Sequence, residues 1–160
     1  MNDVQSEVQH LLEQAVENGS SGAIQVAVYF RGDLIVDTWV SAPGGREIDG
    51  ESLLPMFSAG KGIAVTAIHR LVERGVLSWD EPIASYWPDF AQKGKEEITL
   101  RHVLNHTAGM PMMPEKGNMA TPANWRAMCD YLADSSPVNT PGKKRYYHAI
   151  TSSWLWGEPA

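Results

Sequence analysis

Met56-Phe57-Ser58-Ala59-Gly60-Lys61-Gly62, running on to Leu71-Val72-Glu73-Arg74-Gly75, is the stretch around which the rest of the chain is organised. An apolar approach, Leu53 to Phe57, leads into Ser58. Beyond it Ile63, Ala64, Ala67, Ile68, Leu71 and Val72 recur at helical period, giving one apolar face of a helix that Gly75 ends as a C-cap. Ser58 then stands at or just before the helix start, with Lys61 about one turn on and on the same side. A serine hydroxyl becomes a nucleophile when a neighbouring base takes its proton. A lysine can be that base if burial or nearby cations lower its pKa. The helix N-terminus adds partial positive charge and N–H groups suited to a developing oxyanion. The pair alone carries little weight. With 12 Ser and 6 Lys among 160 residues, chance supplies about 0.45 Ser-x-x-Lys matches, and a helix cap with an exposed lysine is the plain alternative.

The composition narrows the class. A length of 160 residues fits one domain able to bury a core, and 43% hydrophobic with 20% charged residues reads as soluble and globular. The net charge of -6 gives no support to nucleic-acid or anionic-membrane partners, and no basic cluster exceeds Lys143-Lys144-Arg145. The segment Met1 to Glu7 has neither a basic start nor an apolar core, so no signal peptide is expected. No apolar run is long enough to span a bilayer. Cys129 is the single cysteine, which rules out an internal disulfide and points to an intracellular, cytoplasmic home.

Taken in order, Val4, Val8, Leu11, Leu12 and Ala15 predict a first helix over roughly 3–17, ended by Asn18 to Gly22. Ile24, Val26, Val28 and Phe30 alternate with Gln25, Ala27 and Tyr29 as a strand. Arg31-Gly32-Asp33 makes a tight turn, and Leu34 to Val40 returns as the second strand of a hairpin. Two strands alone are marginal, so the hairpin is expected in a larger sheet. A crossover loop begins at Ser41-Ala42-Pro43-Gly44-Gly45. Past Gly75 the pattern is short helices and loops. Pro82 suits a first helical position and Pro88 closes that segment. Thr99 reads as the N-cap of a helix over 100–105, with Ile98 and Val103 as a hydrophobic staple. A loop over 110–120 carries Met110, Met112, Met113 and Met119. Thr121-Pro122 opens a helix with Trp125, Met128 and Leu132 on one face. Pro141-Gly142 turns the chain before Tyr146-Tyr147-His148-Ala149, and a final helix is expected over 150–157.

Other candidate sites stand against plainer readings. An alpha/beta-hydrolase elbow, Gly-x-Ser-x-Gly, is disfavoured because Met56 stands where the first glycine belongs. His102 and His106, four apart, have a metal-ligand spacing, but no acidic residue lies near at a recognisable motif spacing. One capping or packing histidine and one facing solvent is the preferred reading. The methionine-rich loop lines an acyl pocket or serves as an ordinary cover. Tyr147 lies among Lys143, Lys144 and Arg145, cations that would favour a phenolate usable as a base; a packed or surface tyrosine is the alternative.

Four stretches in order resemble the serine beta-lactamase-like superfamily, nearest to the family VIII carboxylesterases, which are similar to class C beta-lactamases. They are Phe57-Ser58-Ala59-Gly60-Lys61-Gly62; Leu71 to Leu77 with Asp80 and Pro82; Leu100 to Met110; and Pro141-Gly142 with Tyr147-His148-Ala149 and Trp154-Leu155-x-Gly157-Glu158. The resemblance implies an α+β, beta-lactamase/transpeptidase-like fold: an antiparallel sheet flanked by helices, plus a helical region. It divides the chain into 1–58, holding the first helix, hairpin and crossover, and 59–160, the mainly helical part carrying the Ser58 helix and the Tyr147 motif. It implies Ser58 as acylated nucleophile, Lys61 as its base partner and Tyr147 as second base and leaving-group acid. Asn105, His148 and Met110 would be substrate-binding. The implied reaction is hydrolysis of small esters through an acyl-enzyme, with no metal or organic cofactor.

Two departures shape the expectation. Ala149 replaces the asparagine of the family's Tyr-x-Asn motif, which leans towards esters and away from efficient beta-lactam hydrolysis. The family's C-terminal strands, including its Lys-Thr-Gly motif, have no counterpart within 160 residues. The hairpin is then expected to expose a sheet edge and an apolar face, and to need a complementing C-terminal half or a second copy of the chain. A non-catalytic binding or structural fragment of the same fold, with Ser58, Lys61 and Tyr147 kept as a pocket for acylated ligands, is the rival reading.

Overall fold

The computed structural model describes residues 2–114 and 122–160. Met119 and Thr121, assigned above to a loop and a helix start, lie outside the described residues. The chain forms two compact units, Met1–Pro55 and Met56–Ala160, so Ser58 and Lys61 belong to the second.

The first unit contains helix α1 (Asn2–Glu17) and strands β1 (Ala23–Phe30) and β2 (Asp33–Ser41). Gly19 ends α1 at φ +71°, where its N–H reaches Val16 O at 3.1 Å and that of Ser20 reaches Ala15 O at 2.9 Å. That is the paired closure a left-handed residue permits. The strands are antiparallel, with Phe30 opposite Asp33 across a two-residue turn. Arg31 (φ +53°) and Gly32 (φ +94°) supply the positive φ values that match the strand twist. The register shifts between Val28 and Tyr29, paired to Val36 and Leu34, so Ile35 is the extra residue of a bulge.

Strict alternation therefore fails at the turn end of the hairpin. Val36 and Thr38 are buried, whereas Val28, Tyr29, Phe30, Leu34 and Trp39 are exposed. Helix α1 lies along β2. The Gln5 side chain donates to Asp37 O at 3.1 Å and accepts from Asp37 N–H at 3.0 Å, standing in for a strand partner, and Gln9 meets the Thr38 hydroxyl. The sheet is two-stranded among the described residues.

The second unit is built from α2 (Gly60–Glu73), α3 (Leu100–Leu104), α4 (Trp125–Asp134), α5 (Ser152–Gly157) and three single 3-10 turns. Phe57–Ala59 is the first of these and leads directly into α2. Gly75 (φ +71°) closes α2, its N–H on Val72 O at 2.9 Å and that of Val76 on Leu71 O at 3.0 Å. The apolar face read from the sequence is covered on one flank alone. Ile68 is buried, and Val65, Leu71 and Val72 pack on the core, while Ile63, Ala64 and Ala67 are exposed.

Three boundaries differ from the sequence reading. Pro82 sits before the 3-10 turn Ile83–Ser85 in an extended conformation (ψ 136°), because it bridges Thr99 and lets Ile83 N–H reach Ile98 O at 2.8 Å. Pro88 opens the turn Pro88–Phe90 instead of closing a segment, and Phe90 stacks on Trp87 at 4.9 Å. Helix α4 starts at Trp125 because the Asn124 side chain accepts from Ala127 N–H at 3.1 Å.

Thr99 caps α3 as expected. The box is completed by His102: its backbone N–H reaches the Thr99 hydroxyl at 3.3 Å, and its Nδ1 accepts from Thr99 N–H at 3.2 Å. Lys95 is fully buried. Its ammonium donates to Ala133 O at 2.9 Å and Ser135 O at 2.6 Å, placing a cation on the C-terminal carbonyls of α4. Burial lowers its pKa, as does the charge of Lys93. Cys129 on α4 is buried, 3.2 Å from Glu158 Oε2, an oxygen that also accepts from Trp125 Nε1 at 2.5 Å. Burial first, then the Glu158 carboxylate, pushes the thiol up to about 12. Among the described residues no helix is long and apolar enough to cross a membrane.

Candidate active site

Ser58 occupies the 3-10 turn before α2 and is exposed. The residue before it, Phe57, has φ +44° and is 90% exposed. A bulky side chain in the left-handed region is strained, and such strain clusters at sites where geometry is imposed. The i, i+3 spacing brings Lys61 Nζ to 3.1 Å from Ser58 Oγ. The same ammonium donates to the Ala149 carbonyl at 2.6 Å and lies 5.4 Å from the centre of the Tyr147 ring. The Tyr147 phenol is near enough to Ser58 for the hydroxyl to influence its ionisation. Ser58 first, opposed next by desolvation and then helped by the hydrogen bonding and charge of Lys61, holds the phenol below the ordinary tyrosine value. A hydroxyl, an ammonium and a phenol thus come together at the start of α2, with the phenol's pKa held below its ordinary value.

Tyr147 reaches Ser58 because the turn after α3 is stitched to the segment 142–151. Gly142 N–H donates to Thr107 O at 2.8 Å, and Tyr146 N–H to His106 O at 2.9 Å. Gly142 has φ +79°, and a Cβ there would stand 3.2 Å from His102 Nε2, so glycine suits both the turn and the close approach. His148 N–H donates to His106 Nδ1 at 3.1 Å. Met110 N–H donates to His148 Nε2 at 2.9 Å, and the Thr151 hydroxyl to Met110 O at 2.7 Å. Because Nε2 accepts, the neutral His148 ring carries its proton on Nδ1. Burial, with His106 alongside, pushes the His148 pKa down to about 4, opposed by the Tyr146 backbone.

The structure brings Ser58, Lys61 and Tyr147 together. It places the remaining candidates elsewhere. His148 and Met110 are buried, and their polar contacts are to each other, His106, Thr151 and Ser152. Asn105 is exposed and lines a hollow with Val65, His69, Trp79, Arg101 and Leu104. Met110 and Met112 line another with Gly109, Tyr131, Ser135, Ser136 and Val138. Neither lining includes Ser58.

His106 is half buried with its Nδ1 engaged, so the reading of one histidine facing solvent is corrected. Among the described residues no three His, Cys, Asp or Glu side chains cluster as a metal site. Sequence reasoning missed the Ala149 carbonyl that holds Lys61, a backbone group to which no side-chain pattern points.

Residues 8–158 match the family model described as Beta-lactamase. Esterase/beta-lactamase LipL of Mycobacterium tuberculosis is 35% identical over 137 residues, covering 84% of this chain and 32% of LipL. The solved structure of a family VIII carboxylesterase gives a TM-score of 0.88 at 28% identity, covering 97% of this chain and 43% of that one. A penicillin-binding protein homolog from Caulobacter crescentus gives 0.84 at 31% identity, covering 96% and 42%. The chain therefore spans about a third of LipL and less than half of the two solved chains. With one family model running through almost its whole length, the chain belongs to the beta-lactamase family and has the beta-lactamase/transpeptidase-like fold.

Proposed function

We propose that this chain carries the nucleophilic part of a serine hydrolase that cleaves small esters through an acyl-enzyme. The observation that supports this reading best is Lys61 Nζ placed 3.1 Å from Ser58 Oγ and 5.4 Å from the centre of the Tyr147 ring. Tyr147, ionised, takes the Ser58 proton as Oγ attacks the ester carbonyl. The phenol then gives that proton to the departing alkoxide. Water, deprotonated by Tyr147, attacks the acyl carbon, and the serine leaves with the proton restored. Lys61 acts as a fixed cation. Held by the Ala149 carbonyl, it favours the phenolate and lowers the charge cost at Oγ. The Ser58 N–H is one oxyanion donor. Ala149 offers no side-chain amide for a substrate amide, which favours esters, with weak activity on some beta-lactams.

The second oxyanion donor comes from a complementing C-terminal half or a second copy of the chain, covering the exposed flank of α2 formed by Ile63, Ala64 and Ala67. A monodisperse, cooperatively unfolding monomer would overturn the need for a complement. Incubation with a serine-reactive fluorophosphonate, read by intact mass, tests the chemistry because trapping needs the first step alone. One adduct on the parent and none on Ser58→Ala is expected. An adduct that persists on Ser58→Ala would remove the nucleophile assignment.

A further inference from the structure

Tyr147 is 53% exposed, so the core does little to order its side chain. The residues that fix its place are on the turn after α3, and one of them, His106, acts in three ways. The His106 carbonyl accepts the N–H of Tyr146 at 2.9 Å. The His106 ring accepts, at Nδ1, the N–H of His148 at 3.1 Å. The same ring meets the Tyr147 ring edge to face, centres 4.7 Å apart and planes at 69°. The backbone is thus gripped on both sides of Tyr147 and the side chain between is packed. His106 does this from φ +59°, a region histidine enters more readily than most residues but still at a cost. Its other face stacks on His148 at 5.6 Å, and Lys61 and Arg145 are the cations near it.

We propose that His106 is a positioning residue: by clamping Tyr146 and His148 and packing against Tyr147, it holds the phenol at Ser58. Groups that react must be kept within a fraction of an ångström by supporting hydrogen bonds, and a displacement of about 1 Å can cost about 100-fold in rate. The inference rests on the reading of Tyr147 as the base. His106 itself exchanges no proton with the substrate.

The test is the rate of Ser58 labelling by a fluorophosphonate as a function of pH, in His106→Asn and His106→Leu. The two side chains are nearly isosteric, and both give up the ring. Asparagine keeps an acceptor close to the Nδ1 position and tolerates positive φ. Leucine leaves the His148 N–H unpaired. Leucine should slow labelling by at least about tenfold and move the pH inflection up towards that of a free phenol. Asparagine should restore most of the rate and the parent inflection. If leucine lowers the unfolding midpoint but leaves the rate and inflection of the parent, His106 is structural and the proposal is overturned. Should leucine prevent folding, His106→Gln, whose oxygen lies near the Nε2 position instead, takes its place with the same two outcomes. Tyr147→Phe separates the two layers. An unchanged profile in Tyr147→Phe refutes the base assignment. A profile lost in Tyr147→Phe yet unmoved in the His106 variants refutes this proposal alone.

Discussion

Acid should weaken this chain through one buried imidazole. His148 is fully buried, accepts the Met110 N–H at Nε2, and has its pKa held near about 4 against an ordinary 6.5. Protonation would set a second N–H against that of Met110, in a place closed to bulk solvent. The unfolded chain binds the proton near the ordinary value and the folded chain does not. The unfolded state therefore holds more protons between the two values. His148 accordingly contributes its stability in full above pH 6.5 and loses it as pH falls towards about 4. The gap of roughly 2.5 units corresponds to about 3 kcal/mol. Urea unfolding followed from neutral pH down to about pH 4, on the parent and on His148→Gln, isolates this contribution. Glutamine places an amide oxygen near the Nε2 position, so it can accept from Met110 without titrating. The parent should lose about 3 kcal/mol more than the variant across the window. Parallel pH dependences in the two proteins would refute the argument.

Three further outcomes follow from other sites. Lys95→Met keeps the buried stem but leaves Ala133 O and Ser135 O without their donor; chemical denaturation should show a loss of about 3 kcal/mol. Gly109→Ala puts a Cβ 2.8 Å from the Asn139 carbonyl oxygen at φ +75°, and its thermal midpoint should fall by an amount equivalent to at least about 2 kcal/mol. Tyr147→Phe should slow Ser58 labelling by about 10²- to 10⁴-fold and abolish an inflection lying below the ordinary phenol value, as read by labelling rates against pH.

What the sequence revealed depended on whether the signal was local. Ser58 and Lys61 were legible as a pair because three residues along a helical turn fix their neighbourhood. Thr99 with Ile98 and Val103 marked the start of α3 for the same reason. The apolar period of α2 was legible too, but a period cannot say which flank a core will cover; Val65 and Ile68 are used where Ile63 and Ala67 are not. The start of α4 was read too early from Thr121-Pro122; the helix begins at Trp125, where the Asn124 side chain caps it by accepting from Ala127 N–H.

Tyr147 and His148 adjoin in sequence, yet one is exposed and the other buried. Adjacency in sequence says nothing about which way two side chains face where the chain is irregular. Lys95 sits in Lys93-Gly94-Lys95-Glu96-Glu97, whose composition says surface, and its burial is set by the distant carbonyls of α4. The Ala149 carbonyl had no legible signal of any kind.

The seclusion of Cys129 turns it into a clock. Its thiol is buried against Glu158 and pushed up to about 12, so the folded chain offers alkylating reagents almost no thiolate. Modification must wait for α4 and α5 to part, and its rate in excess reagent then measures how often they do. With a single cysteine in the chain, every alkylated molecule records one event at that seam, and a ligand that steadies the second unit would register as a slower clock.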